Sequence, residues 1–306
     1  MKMSKQVWKA AVPLAVGGVL LATSGMSAMA GTSGYEAYKA ALKQQHTVQS
    51  VTADVQVTLT DNGKPVWKAA PLVKIDREGG QASGEVGIES GSKSERVAFF
   101  TQPGGGVVLK HAADDTYYAV GDHGDEKKHS HSWKTEEGEG PDAGELEGLV
   151  DALAGSLKQQ MTLEAQPDGS QRVELQLSAA QIPPAVQALG SLAVKHASDP
   201  EHRHPSSQEG EGLPPWMKDG EALQLPRLTR DIRIESFHLT ADIAPDGTLK
   251  GQVLELAADG KDAEGVEHDL ALSAQLKLSG QNATTADTVD LTGKPVVTLH
   301  KEEEHR

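Results

Sequence analysis

Histidine is the residue of this chain best suited to chemistry, and there are twelve of them. Two stretches carry a His-x-His pair, His129 with His131 and His202 with His204, and His123 and His196 lie near them in sequence. Neutral imidazoles are the commonest zinc and copper ligands, and loops can bring separated pairs together. His129, His131, His202 and His204 are therefore the candidate metal ligands. Against this, both stretches are charged and without periodicity, and their spacing is particular to no type of site. Solvated loop histidines account for the pattern equally well. His268 is different, because it falls on the apolar side of an alternating segment. A hydrogen-bonded histidine at a strand end explains it without catalysis.

Enzyme motifs are missing. There is no G-x-S-x-G elbow, no H-E-x-x-H helix and no phosphate-binding glycine loop. Carboxylates are plentiful, with 44 acidic residues, but they sit in turns and loops. The chain has no Cys, which removes disulfides, thiolate metal sites and cysteine nucleophiles. We expect a non-enzymatic protein that needs no cofactor. A formal charge of −15 argues against nucleic acid and anionic membrane surfaces as partners.

The elements that must position any site begin after residue 30. Lys2, Lys5 and Lys9 precede an apolar run from Ala10 to Ala22, and Ala28-Met29-Ala30 supplies small residues before Gly31. Residues 1–30 have the form of a cleaved signal peptide. The run is shorter than the roughly 20 residues a membrane span needs, and no lipid-accepting cysteine follows it. The expected location is extracytoplasmic, as a secreted protein. Without the three leader lysines, 26 basic residues face 44 acidic ones.

Residues 31–300 are expected to form one domain, with loop insertions at 122–144 and 199–230 and a charged tail at 301–306. Tyr35, Tyr38, Ala41 and Leu42 mark a helix over 34–49, with Ser33 as N-cap and Glu36 completing a capping box. Leu146, Leu149, Val150, Leu153 and Leu157 mark a second helix. A third starts at Pro183-Pro184 and carries Ile182, Val186, Leu189 and Ala193 on one face. Strict alternation marks the strands. Val51 to Leu59 alternates up to an Asn62-Gly63 turn, and His268, Leu270, Leu272, Ala274, Leu276 and Leu278 fall on every second position. Between Ile234 and Phe237 the apolar phase slips by one residue, which predicts a β-bulge. Val51-Thr52-Ala53-Asp54-Val55 echoes Leu239-Thr240-Ala241-Asp242-Ile243, and Gly63-Lys64-Pro65-Val66 echoes Gly293-Lys294-Pro295-Val296.

The expected fold class is α+β: a strongly curved antiparallel half-barrel covered by two or three helices. This arrangement resembles the LolA/LppX-type carriers of the bacterial envelope, and is similar to secreted relatives in spore-forming Gram-positive bacteria. The likeness rests on Gly34-Tyr35-Glu36-Ala37-Tyr38 opening the first helix, on Asp115-Thr116-Tyr117-Tyr118-Ala119-Val120 as a strand, and on the closing stretch through Asp290-Leu291-Thr292-Gly293-Lys294. It implies an unclosed barrel with helices over it and a hydrophobic ligand inside, but transfers no ligand residue.

A concave apolar face suits a lipid or another hydrophobic small molecule. Val55, Val57, Leu270, Leu272, Ala274 and Leu276 would then line either a cavity or a core, and the sequence leaves both open. Leu213, Trp216 and Met217, an apolar patch in the proline-rich stretch, are the lid candidates. The leading expectation is a monomeric envelope module that binds an apolar ligand. The alternatives are a protein-interaction or regulatory module with a self-filled core, and a metal binder built on the histidine loops.

Overall fold

Alternation of apolar and polar side chains turns more than half of the described residues into strand. The computed structural model describes residues 33–102, 106–120, 158–198 and 226–299. Twelve strands form: β1 Ser50–Asp61, β2 Lys64–Asp76, β3 Gln81–Ser90, β4 Lys93–Thr101, β5 Val107–His111, β6 Tyr117–Val120, β7 Thr162–Ala165, β8 Gln171–Ser178, β9 Arg230–Ile243, β10 Leu249–Lys261, β11 Glu267–Ser279 and β12 Val296–Leu299. Among the described residues two helices accompany them, α1 Gly34–Gln45 and α2 Pro184–Ser198.

All twelve strands belong to one open sheet, in the order β12-β6-β5-β4-β3-β2-β1-β11-β10-β9-β8-β7. In the two halves of the sheet, short turns join β1 through β4 and β9 through β11 as successive hairpins, and a longer connection carrying α2 joins β8 to β9. Asn62 and Gly63 take φ of 49° and 73°, the left-handed pair that a two-residue hairpin turn demands. The halves meet where β1 pairs with β11, with Val55 opposite Leu276 and Val57 opposite Ala274. Neighbouring strands are antiparallel except β12, which lies parallel to β6. A parallel neighbour needs a crossover, and residues 280–295 provide it. This strap crosses the polar face. The hydroxyls of Thr284 and Thr52 lie 3.0 Å apart, Lys74 Nζ donates to Asp287 at 2.9 Å, and Asp287 N donates to the buried Ser83 Oγ at 2.7 Å.

Directly opposed residues of paired strands share a face, so the register separates the two surfaces. One carries the polar rungs and ion pairs, such as Arg172 with Asp242 at 2.8 Å. The other is apolar across the sheet. Its rows include Val173, Ala241, Gln252, Leu276 and Val55, and beside them Leu175, Leu239, Leu254, Ala274, Val57 and Ala69. The core lies on this face in three clusters, on β8–β10 under α1, on β1 and β11, and on β2–β6.

The expected bulge is present. The pairing of β9 with β10 shifts between Ser236 opposite Ala257 and Ile234 opposite Ala258. Glu235 is the extra residue, and it returns Ile234 to the apolar face. The first helix caps as expected, with Ser33 Oγ accepting from Glu36 N at 3.3 Å.

The expected fold class is corrected. The protein is not an α+β half-barrel beneath two or three covering helices but a sheet-dominated molecule. Among the described residues its sheet is mixed, twelve strands wide and unclosed, with β12 and β7 outermost. The reason is one of dimensions. Twelve strands span about 50 Å at ~4.8 Å per neighbour, while twelve residues of α1 make a rod of about 18 Å. Among the described residues, α1 packs on β7–β10 and α2 on β9. Helical stripes in the sequence announced helices correctly but carried no measure of how much sheet they could roof. The second expected helix, 146–157, lies outside the described residues, as do residues 1–30, both loop insertions apart from the last residues of 199–230, and the tail.

Candidate apolar site

α1 docks at one end of the apolar face. Its Tyr38 hydroxyl donates to Gln252 Oε1 at 2.8 Å, tying the helix to β10 from within the core. Burial pushes the Tyr38 phenol up to about 12, so it remains a donor at every physiological pH. Gly34 starts the helix hard against the Thr162 carbonyl, where a Cβ would collide. α2 docks further along β9. Ser191 Oγ donates to the Ile232 carbonyl at 2.9 Å, and a Cβ on Gly190 would lie 2.8 Å from Ile234 Cγ1.

Between these two attachments runs one row that neither helix closes over. Leu177, Phe237, Leu256, Leu272, Leu59 and Trp67 stand opposite one another in turn, across β8, β9, β10, β11, β1 and β2. Leu177 is buried, and the other five are only half-buried. Toward α1 burial deepens sharply: Val173, Ala241 and Val55 are 0% exposed and Leu276 1%. On the other side Ile234, Ala258 and Leu270 are buried again. The half-open row is therefore an apolar strip between two packed regions.

The residues expected to line a cavity divide accordingly. Val55, Val57, Ala274 and Leu276 pack with Ala53 into a closed cluster, so they are core. Leu270 is also buried, opposite Ala258 and Asp61. Only Leu272 of the six reaches the half-open strip. Leu59, Trp67, Phe237 and Leu256 complete it and were not singled out from the sequence. Leu59 and Trp67 flank the Asn62-Gly63 turn, but the register shifts between Leu59 and Thr60, so a count back from the turn pairs Leu59 with Val66 and misses Trp67. Phe237 was hidden by the bulge, which breaks any such count. Leu213, Trp216, Met217, His129, His131, His202 and His204 lie outside the described residues.

His268 occupies a polar end of the same apolar face. Its Nδ1 lies 3.0 Å from Asp61 and its Nε2 3.4 Å from Asp262. The imidazole is only 14% exposed. Burial disfavours its cation, yet the two hydrogen-bonded carboxylates outweigh that and raise its pKa above the usual value. It fastens the β1–β2 turn to the β10–β11 turn. Among the described residues, no group of three or more His, Asp or Glu side chains converges on a point that could hold a metal ion.

No family model matches the chain, and no curated protein matches its sequence.

Proposed function

We propose that this protein is a non-enzymatic binding module of the cell envelope that takes an apolar ligand of the acyl-lipid class on the strip Phe237–Leu256–Leu272–Leu59–Trp67. The observation that carries the reading is that strip: five adjacent apolar side chains left half-buried between two closed packing regions. Apolar side chains left incompletely buried side by side gain further burial when an apolar ligand covers them. Completing the burial of five such side chains at roughly 1 kcal/mol each gives about 5 kcal/mol. Association costs several kcal/mol in lost ligand freedom, so the strip suits a ligand that exchanges rather than one held permanently.

Titration with a fluorescent acyl probe tests the reading. Saturable binding is expected, and Leu272→Asp should weaken it at least tenfold. Leu72→Asp, at a residue 45% exposed on the polar face, should leave binding unchanged. Absence of saturable binding, or equal effects of the two substitutions, rejects the proposal. A rival reading, a protein-interaction module with a self-filled core, draws on the packed Val55 cluster. It expects no probe binding and a defined protein partner on cross-linking.

A further inference from the structure

The polar face holds a groove formed mainly by rows next to the apolar strip, although Leu177, Phe237, Leu256 and Leu272 also touch it. Two adjoining depressions of about 420 and 190 Å³ share Ser236 and Glu255 in their walls. Their floor is a row of small side chains: Ser178, Ser236, Ala257, Ala271 and Thr60 stand opposite one another across five strands. The adjacent row forms the wall, and in it His238 stands opposite Glu255. The imidazole is gripped from both sides, with Nε2 3.0 Å from Glu174 and Nδ1 3.2 Å from Glu255. Glu235, the bulge residue, also lines the larger depression, beside its ion-pair partner Arg233 at 2.6 Å.

We propose that this groove binds a short linear amine, with its ammonium on Glu255 and its aliphatic body along Ala257 and Ala271. Three features select that class. Two carboxylates line the groove and no Lys or Arg does, which rejects anions and favours a cation. The carboxylates of Glu174 and Glu255 approach opposite edges of one imidazole, so they do not converge as a metal site would. The floor is one row of small side chains, along which a polymethylene chain can lie. At its far end the hydroxyls of Thr58, Thr60 and Ser273 offer hydrogen bonds to a second polar group. A charge of −15 on the chain raises the local concentration of any cation. Glu174 acts at a distance, as the positioning residue that fixes the imidazole against Glu255.

Calorimetric titration of the full chain with putrescine, against 1,4-butanediol as the uncharged isostere, tests this. Putrescine should bind at a single site and the diol should not. Glu255→Gln should weaken binding at least tenfold. Ala257→Val, which raises the floor with a residue suited to strands, should weaken it at least fivefold. Glu89→Gln, on β3 and outside the groove, should leave it unchanged. The proposal is overturned if putrescine does not bind, if the diol binds equally, or if Glu89→Gln weakens binding as much as Glu255→Gln. In that last case the amine is held by general surface charge. It is also overturned if Ala257→Val leaves the affinity unaltered.

Discussion

His268 shows how one side chain couples stability to pH. Its burial favours the neutral ring, but hydrogen bonds and charge from Asp61 and Asp262 favour the cation more, and the net shift is upward from 6.5. A raised pKa means that the folded state binds the proton more tightly than the unfolded chain. The contribution is therefore complete below about pH 6.5 and fades as pH climbs through the folded value. Asp262 shifts the other way. Burial raises its pKa, but hydrogen bonds from Val266 N, His268 and Gly265 N together bring it below 3.8. Its contribution is present above that value and is lost on acidification. We expect the denaturation midpoint to fall as pH rises above about 6.5, and His268→Gln to flatten that slope while costing about 1–2 kcal/mol at pH 6. Urea unfolding of both proteins at several pH values measures this, and equal slopes would exclude the assignment. A simpler residue-scale test concerns Tyr38. Tyr38→Phe removes the donor to Gln252 Oε1 and should cost about 1–3 kcal/mol, since a buried acceptor loses its partner.

At the scale of elements, α1 attaches across β7–β10 and α2 along β9. Gly34 is the closest of these attachments, with its Cα against the Thr162 carbonyl of β7. Backbone atoms cannot yield as side chains can. Gly34→Ala should therefore lift the start of α1 by more than its helix propensity repays. The expected loss is about 1–3 kcal/mol, with increased binding of a hydrophobic dye as the Val173 and Ala241 region opens. Unfolding curves and dye fluorescence check this, and an unchanged or stabilised protein would show that α1 does not bear on β7 as described. The bulge at Glu235 is the other decisive element. Without that extra residue, Ile234 or Phe237 would face the wrong side, since a one-residue slip inverts every side chain beyond it. Deleting Glu235 should accordingly unfold the β9 region, whereas Glu235→Ala should fold normally.

Among the described residues, the molecule is a sheet twelve strands wide with β12 and β7 outermost. A twist of roughly 20° per neighbour accumulates over eleven pairings, and a sheet this wide coils rather than lying flat. The strap of residues 280–295 carries the chain across the polar face and places β12 over the edge of β6. An uncovered edge invites pairing with another chain. Truncation after Ser279 should free β6 and produce self-association, visible by sedimentation at concentrations where the full chain remains monodisperse. A monomeric truncation would mean that β12 is not the guard of that edge.

The sequence alone determined the local elements, because their signals are local. Alternation marked the strands around Val55 and Leu272, Asn62-Gly63 marked a hairpin, Ser33 and Pro183-Pro184 marked helix starts, and the phase slip before Phe237 marked the bulge. It left the candidate site almost unread. Val55, Val57, Ala274 and Leu276 alternate just as Leu272 does, and nothing in their spacing distinguishes a closed core from an open strip. That distinction depends on which strands neighbour each other and on how far a helix of about 18 Å reaches across about 50 Å of sheet. His238, Glu174 and Glu255 are far apart in the chain and became neighbours only when β8, β9 and β10 paired. Tertiary structure decided these matters because exposure and proximity across strands are properties of the assembled sheet, to which each segment contributes a single line.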